Sequence, residues 1–115
     1  MRLVAPYDVQ VKAKFQTDKK LPEVDQAISQ LKIGEWAEAI GLFISATEKA
    51  GIDAKIKAKA FYDLGLAQMY AGDFDNSIEN FKEAFKLTNS KMYMNAINEA
   101  KSEKAKAEKL QEQQG

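Results

Sequence analysis

The chain has 115 residues, 45% of them hydrophobic and 30% charged, with lysine plus arginine equal to aspartate plus glutamate at 17 each. That composition allows about one domain with a modest core, and its charge balance favours neither nucleic acid nor acidic lipid. It has no cysteine and no histidine, which removes disulfides, sulfur metal sites, the commonest transition-metal ligand and the commonest general base.

The N-terminus reads "MRLVAPYDVQ". Pro6 and Asp8 interrupt any apolar stretch after Leu3, so it is not a signal peptide, although a leader could lie upstream if the chain is a fragment. Arg2 is the only arginine; planar bidentate reading of bases and phosphates usually recruits that residue, so nucleic acid is not an expected partner. No apolar run approaches the roughly 20 residues that span a bilayer, so membrane insertion is not expected. The compartment stays open: cytoplasmic by default, periplasmic or secreted if this is a fragment.

From Leu3 to Phe15 every odd position is apolar, through Ala5, Tyr7, Val9, Val11 and Ala13. This is a period of two in β-forming residues, broken or edged at Pro6. The stretch, taken as a unit 1–17, is either a severed strand of a preceding domain, a strand that pairs with its copy in a second chain, or an arm lying in the chain's own groove.

Residues 18–115 form a second, helical unit. Pro22 opens a helix in which Val24, Ala27, Ile28 and Leu31 recur at helical spacing, and Gly34 closes it. A second helix, about Glu35–Ala50, carries Trp36, Ala39, Ile40, Phe43 and Ala46 and stops at Gly51. Asp53 is placed to cap a third, about Ala54–Tyr70, with Ala60, Phe61, Leu64 and Gly65. Gly72 breaks it, and Asp73 is placed to cap a fourth with Phe74, Ile78, Phe81, Ala84, Phe85 and Leu87. A fifth helix starts near Lys91. Its apolar stripe fades after Ile97 and Ala100, so from about 101 a solvated helical tail is expected.

"GEWAEAI" at Gly34–Ile40 returns as "GDFDNSI" at Gly72–Ile78, thirty-eight residues later. Each glycine marks the turn of a helical hairpin that cannot bury its own apolar face, so the hairpins stack and the fifth helix covers the open end. The stretch Ala58–Asn89 resembles a tetratricopeptide repeat. Phe61 stands at that family's aromatic position, Leu64-Gly65 at its Leu-Gly pair and Gly72-Asp73-Phe74 at its Gly-Asp-Tyr turn. Ile78, Phe81, Ala84 and Leu87 occupy the packing positions, while Ser77 replaces an alanine and Asn89 the closing proline. Leu21–Gly51 is similar through Ala27, Gly34, Trp36, Ala39, Ile40, Phe43 and Ala46. It departs at Glu23 and Gln26, and about four residues are inserted before the next repeat.

The resemblance implies an all-α fold: an antiparallel helix-hairpin solenoid of about two hairpins, a C-terminal capping helix and an N-terminal extended arm. It also implies a non-catalytic adaptor that binds a partner helix or extended peptide in a concave groove. On that pattern the groove is lined by Val24, Ile28, Leu31, Tyr62, Leu66 and Met69, with Asp63 on its rim placed to pair with a partner lysine. The lysines and asparagines that clamp a C-terminal carboxylate in the family are absent from the matching positions. Some of the lining could instead pack against the chain's own first segment or last helix. The alternative is a structural or oligomerisation element whose groove or arm is filled by its own kind, a homodimer for instance.

Other chemistry finds little support. "DFDN" at Asp73–Asn76 lacks the third ligand, the central glycine and the distant glutamate of a calcium loop. Five serines without a histidine build no serine triad. No catalytic residue, metal or cofactor is expected.

Overall fold

The computed structural model describes residues 14–114. Within them the chain is all-helical and contains no strand: α1 (Pro22–Lys32), α2 (Trp36–Thr47), α3 (Ala54–Tyr70), α4 (Phe74–Thr88) and α5 (Lys91–Gln114). The strand-like pattern over Leu3–Phe15 falls almost wholly outside these residues. The second helix is shorter than expected. Thr47 Oγ1 donates to the Ile44 carbonyl (2.7 Å) and the Lys49 amide to the Ala46 carbonyl (3.3 Å), which closes α2 before Gly51 is reached.

The two hairpin turns are built alike. At the end of α1 the Gly34 amide bonds the Leu31 carbonyl (3.0 Å) and the Glu35 amide the Gln30 carbonyl (2.9 Å). At the end of α3 the Gly72 amide bonds Met69 (3.1 Å) and the Asp73 amide bonds Gln68 (2.8 Å). Both sets form a Schellman motif, which needs a left-handed residue at its pivot. Gly34 and Gly72 supply it with φ of 79° and 89°, at no steric cost. Asn89 serves α4 in the same way at φ 57°, asparagine being the residue after glycine that tolerates this region best. Asp53 and Asp73 stand at N-cap positions, but neither side chain caps. Asp73 instead accepts from the Asn76 side chain at 2.8 Å.

Burial repeats with the same spacing as the sequence. Ala39 and Ser77, Phe43 and Phe81, and Ala46 and Ala84 are all fully buried, while Trp36 and Phe74 are half-buried beside the turns. Consecutive helices pack in order, α1 on α2, α2 on α3, α3 on α4 and α4 on α5, and α3 also touches α5. The central helix α3 is therefore covered on several sides, and its residues from Tyr62 to Met69 are buried without interruption. A helix so placed loses the one-sided pattern of a surface helix.

Two features weld α3 to α4. Gly65 brings them together: a Cβ there would lie 2.8 Å from two carbons of the Phe81 ring. Beside it the buried Ser77 hydroxyl donates to the Gly65 carbonyl at 2.7 Å. Serine at this repeat position therefore fills an alanine-sized space and satisfies its own polar atom.

On α5 the stripe Tyr93, Ala96, Ile97 and Ala100 is buried or half-buried. Beyond it Lys104 Nζ meets Asp75 Oδ1 at 2.7 Å, so the first turns after residue 101 are tied to the start of α4. Lys101, Ser102 and Ala105 are exposed. Among the described residues no helix is long and apolar enough to cross a membrane.

Candidate functional site

The residues expected to line an open groove are covered. Val24, Leu31, Tyr62, Leu66 and Met69 are buried and Ile28 is half-buried, all within one apolar cluster. Asp63 was expected on an exposed rim and is instead fully buried. The cause is the segment just before α1, which lies over α3 and α5 and shuts Asp63 away from water.

Lys14 to Asp18 runs along α3 in the opposite direction. Lys14 sits by Tyr70 and forms an ion pair with Glu99 of α5 at 3.5 Å. Phe15 is buried and stacks on Phe43 of α2, ring centroids 5.1 Å apart and planes 11° apart. The Gln16 amide donates to Asp63 Oδ1 at 2.8 Å. Its side chain accepts from the Tyr93 hydroxyl at 2.9 Å and donates to Met92 Sδ at 3.2 Å. Thr17 is exposed, and Asp18 pairs with Lys59 at 3.3 Å. Two residues of the segment, Gln16 to Asp18, cover the four from Asp63 back to Lys59. Four helical residues rise about 6 Å and two extended ones span nearly 7 Å, so the segment is extended here.

A turn then fixes the segment to the domain. The Lys20 amide donates to Asp18 Oδ1 (2.9 Å), the Leu21 amide to the Asp18 carbonyl (2.8 Å), and Leu21 is fully buried. Lys49 Nζ reaches both the Lys20 carbonyl (3.0 Å) and Glu23 (3.1 Å).

The electrostatics centre on Asp63. Burial pushes its carboxyl well above the usual carboxylate range, only partly offset by the Gln16 amide and by Lys59. Its Oδ2 has no hydrogen-bond partner among the described residues, an arrangement that costs far less for a neutral acid than for an anion. Tyr62 and Tyr93 pack together, centroids 5.4 Å apart, and burial raises both phenols above their ordinary value. Both stay protonated and usable as donors. Lys14 loses something to burial, but Tyr70 and Glu99 raise its ammonium overall. Among the described residues no three His, Cys, Asp or Glu side chains gather to hold a metal ion.

Asp63 gives the stability a pH dependence of defined sign. In the unfolded chain its carboxyl loses its proton near pH 3.8, while the folded chain holds the proton to higher pH. Between those points the folded state binds more protons, so the Asp63 contribution falls as pH rises from about 4 toward neutrality. Asp63→Asn removes the titration. The melting temperature of the parent minus that of the variant is expected to drop steadily over this window. Asp18 and Glu23, whose carboxyls are held low, act in the opposite sense but in both proteins, and cancel in the difference. A flat or rising difference would mean that Asp63 is ionised in the fold.

Compared with known protein families, curated proteins and solved structures, the chain matches none.

Sequence reasoning did not single out Gln16, Lys59, Tyr93 or Glu99 for this site. Gln16 is one polar position of an alternating run, and Lys59 one of three alternating lysines read as solvated surface. The available signal was the run itself: its last apolar member, Phe15, stands only seven residues before Pro22, too near the helical unit to belong to anything distant.

Proposed function

We propose that the chain is a non-catalytic protein-interaction module of tetratricopeptide-like helical hairpins, whose inner groove takes an extended peptide. The observation that carries this reading is the Lys14–Asp18 segment. Beyond Lys14 it lies extended over α3 and α5, with a backbone amide held by the buried Asp63 carboxyl, the geometry by which an extended peptide is gripped through its main chain. The repeated turns and the repeated burial of Phe43 and Phe81 support the hairpin-repeat assignment. In this reading the segment is a built-in occupant that a partner displaces.

The alternative, a structural or oligomerisation element, is favoured by the half-exposed Met92 and Met94 on α5 and by Ile33 at the first turn, which is 70% exposed. Amide hydrogen exchange with sedimentation tests both. The module reading expects the Gln16 amide to exchange through local release of the segment, at a free energy well below that of the α3 interior, in a monomer. Gln16 exchanging only with global unfolding would show a groove that never opens and overturn the reading. A stable dimer would favour the alternative.

A further inference from the structure

The geometry points to a specific ligand class for this groove: a linear motif in a partner protein, bound antiparallel to α3, with a basic residue, an aromatic, a primary amide and a free position in that order. This rests on the interaction-module reading above and adds what the groove selects. Each position follows from what faces the built-in segment.

At the first position, two aromatic rings, Tyr70 and Phe74, and two carboxylates one turn apart on α5, Glu99 and Glu103, border a cavity of about 310 Å³ beside Lys14. Rings and carboxylates together favour a cation, and the space admits a guanidinium as well as an ammonium. At the second, Phe43 offers a buried ring face on which Phe15 stacks nearly parallel, which favours a flat aromatic over an aliphatic side chain.

The third position is the most restrictive. Asp63 takes the backbone N–H, which excludes proline. The Tyr93 hydroxyl needs an acceptor and Met92 Sδ takes a donor, and a primary amide offers the two on separate atoms, so that it reaches both partners at once. Thr17 meets solvent, so the fourth position is free. Asp18, the next residue, stays with its turn and keeps its ion pair with Lys59, so the motif ends there.

The occupant is a partner's segment and not the same segment of a second copy. Exchange between copies needs the Asp18–Leu21 turn pulled straight, which would break its hydrogen bonds and withdraw the buried Leu21. Release of Lys14–Thr17 alone leaves that turn in place. A tethered segment competes at an effective concentration on the order of millimolar. The parent chain therefore binds a motif peptide weakly, and a chain with a weakened occupant binds it better.

The test uses a fluorescent peptide with blocked ends, Ala-Lys-Phe-Gln-Thr, and full-length chains read by anisotropy. Phe15→Ala is expected to tighten peptide binding about tenfold over the parent by relieving competition. Replacing the peptide's phenylalanine with alanine, or its glutamine with proline, is expected to weaken binding to that chain by about tenfold or more. Glu99 is half-exposed at the edge of the groove, so charge reversal there spares the fold. In the Phe15→Ala chain, Glu99→Lys is expected to lose about threefold for the lysine peptide and regain it when that lysine is glutamate. A scrambled peptide binding as well as the motif, or no regain on charge reversal, overturns the motif. If Gln16 still exchanges by local release, the module reading survives that result. A Phe15→Ala chain that dimerises, and that the peptide returns to monomer, overturns the partner assignment in favour of a second copy.

Discussion

Phe81→Ala is expected to lower the unfolding free energy by about 3–5 kcal/mol, the range for truncating a fully buried phenylalanine. At roughly 4 °C of melting temperature per kcal/mol for a domain of this size, the shift is unmistakable. Phe81 is fully buried, packs on Tyr62 with centroids 5.6 Å apart, and fills the space that Gly65 leaves between α3 and α4. The last contact allows a sharper version. Gly65→Ala alone forces a methyl group to within 2.8 Å of the ring and is expected to cost about 1–3 kcal/mol. In the Phe81→Ala background the ring clash is gone and only the Ser77 carbonyl at 3.1 Å remains close, which alanine's better helix propensity, worth about 1 kcal/mol, offsets, so the same change should cost clearly less than in the parent. Urea denaturation of the four proteins measures this. Additive effects of the two substitutions would mean that α3 and α4 do not meet through this pair.

That contact was half legible in the sequence. Helical spacing placed Phe81 in the core and the glycines at the turns, because both depend on local rules: a 3.6-residue period and the steric freedom of a residue without Cβ. The α3 bounds and the paired turns follow from the same rules. What local pattern does not carry is which face a second element covers. Tyr62 and Asp63 are neighbours in sequence, and on a helix with one open face one of them should meet water. Both are buried because α3 is packed by α2, α4 and α5 and then overlaid by Lys14–Asp18. An aspartate in that place reads as surface in any composition-based view, since burying a carboxyl is costly. Its burial becomes reasonable only once the Gln16 amide and a retained proton are known, and neither is written in a single residue. Trp36 shows the converse. Its size suggests a core anchor, yet it sits at the first position of α2 by the turn and is only half-buried, because a hairpin end has no further layer to cover it.

The second large effect is expected at Phe43, which stands in the first hairpin where Phe81 stands in the second. Phe43→Ala should also cost about 3–5 kcal/mol, since the residue is fully buried and its loss leaves a cavity that helix ends cannot close. Phe15→Ala removes the ring stacked on the other side, yet should cost much less, about 1–2 kcal/mol. A segment that can leave its groove gives up no more than the free energy that docked it, and it leaves no sealed cavity in the core. The double variant then measures the stack itself. Parallel aromatic pairs contribute about 0.5–1.5 kcal/mol beyond their buried area, so the two substitutions together should cost less than their sum by that amount. If Phe15→Ala proves as damaging as Phe43→Ala, the segment is part of the folding core and cannot be yielded to a partner. If the two add, the rings do not stack in solution. Only a small Phe15 cost combined with a positive coupling describes a residue that is well seated and still free to leave, which a displaceable occupant requires.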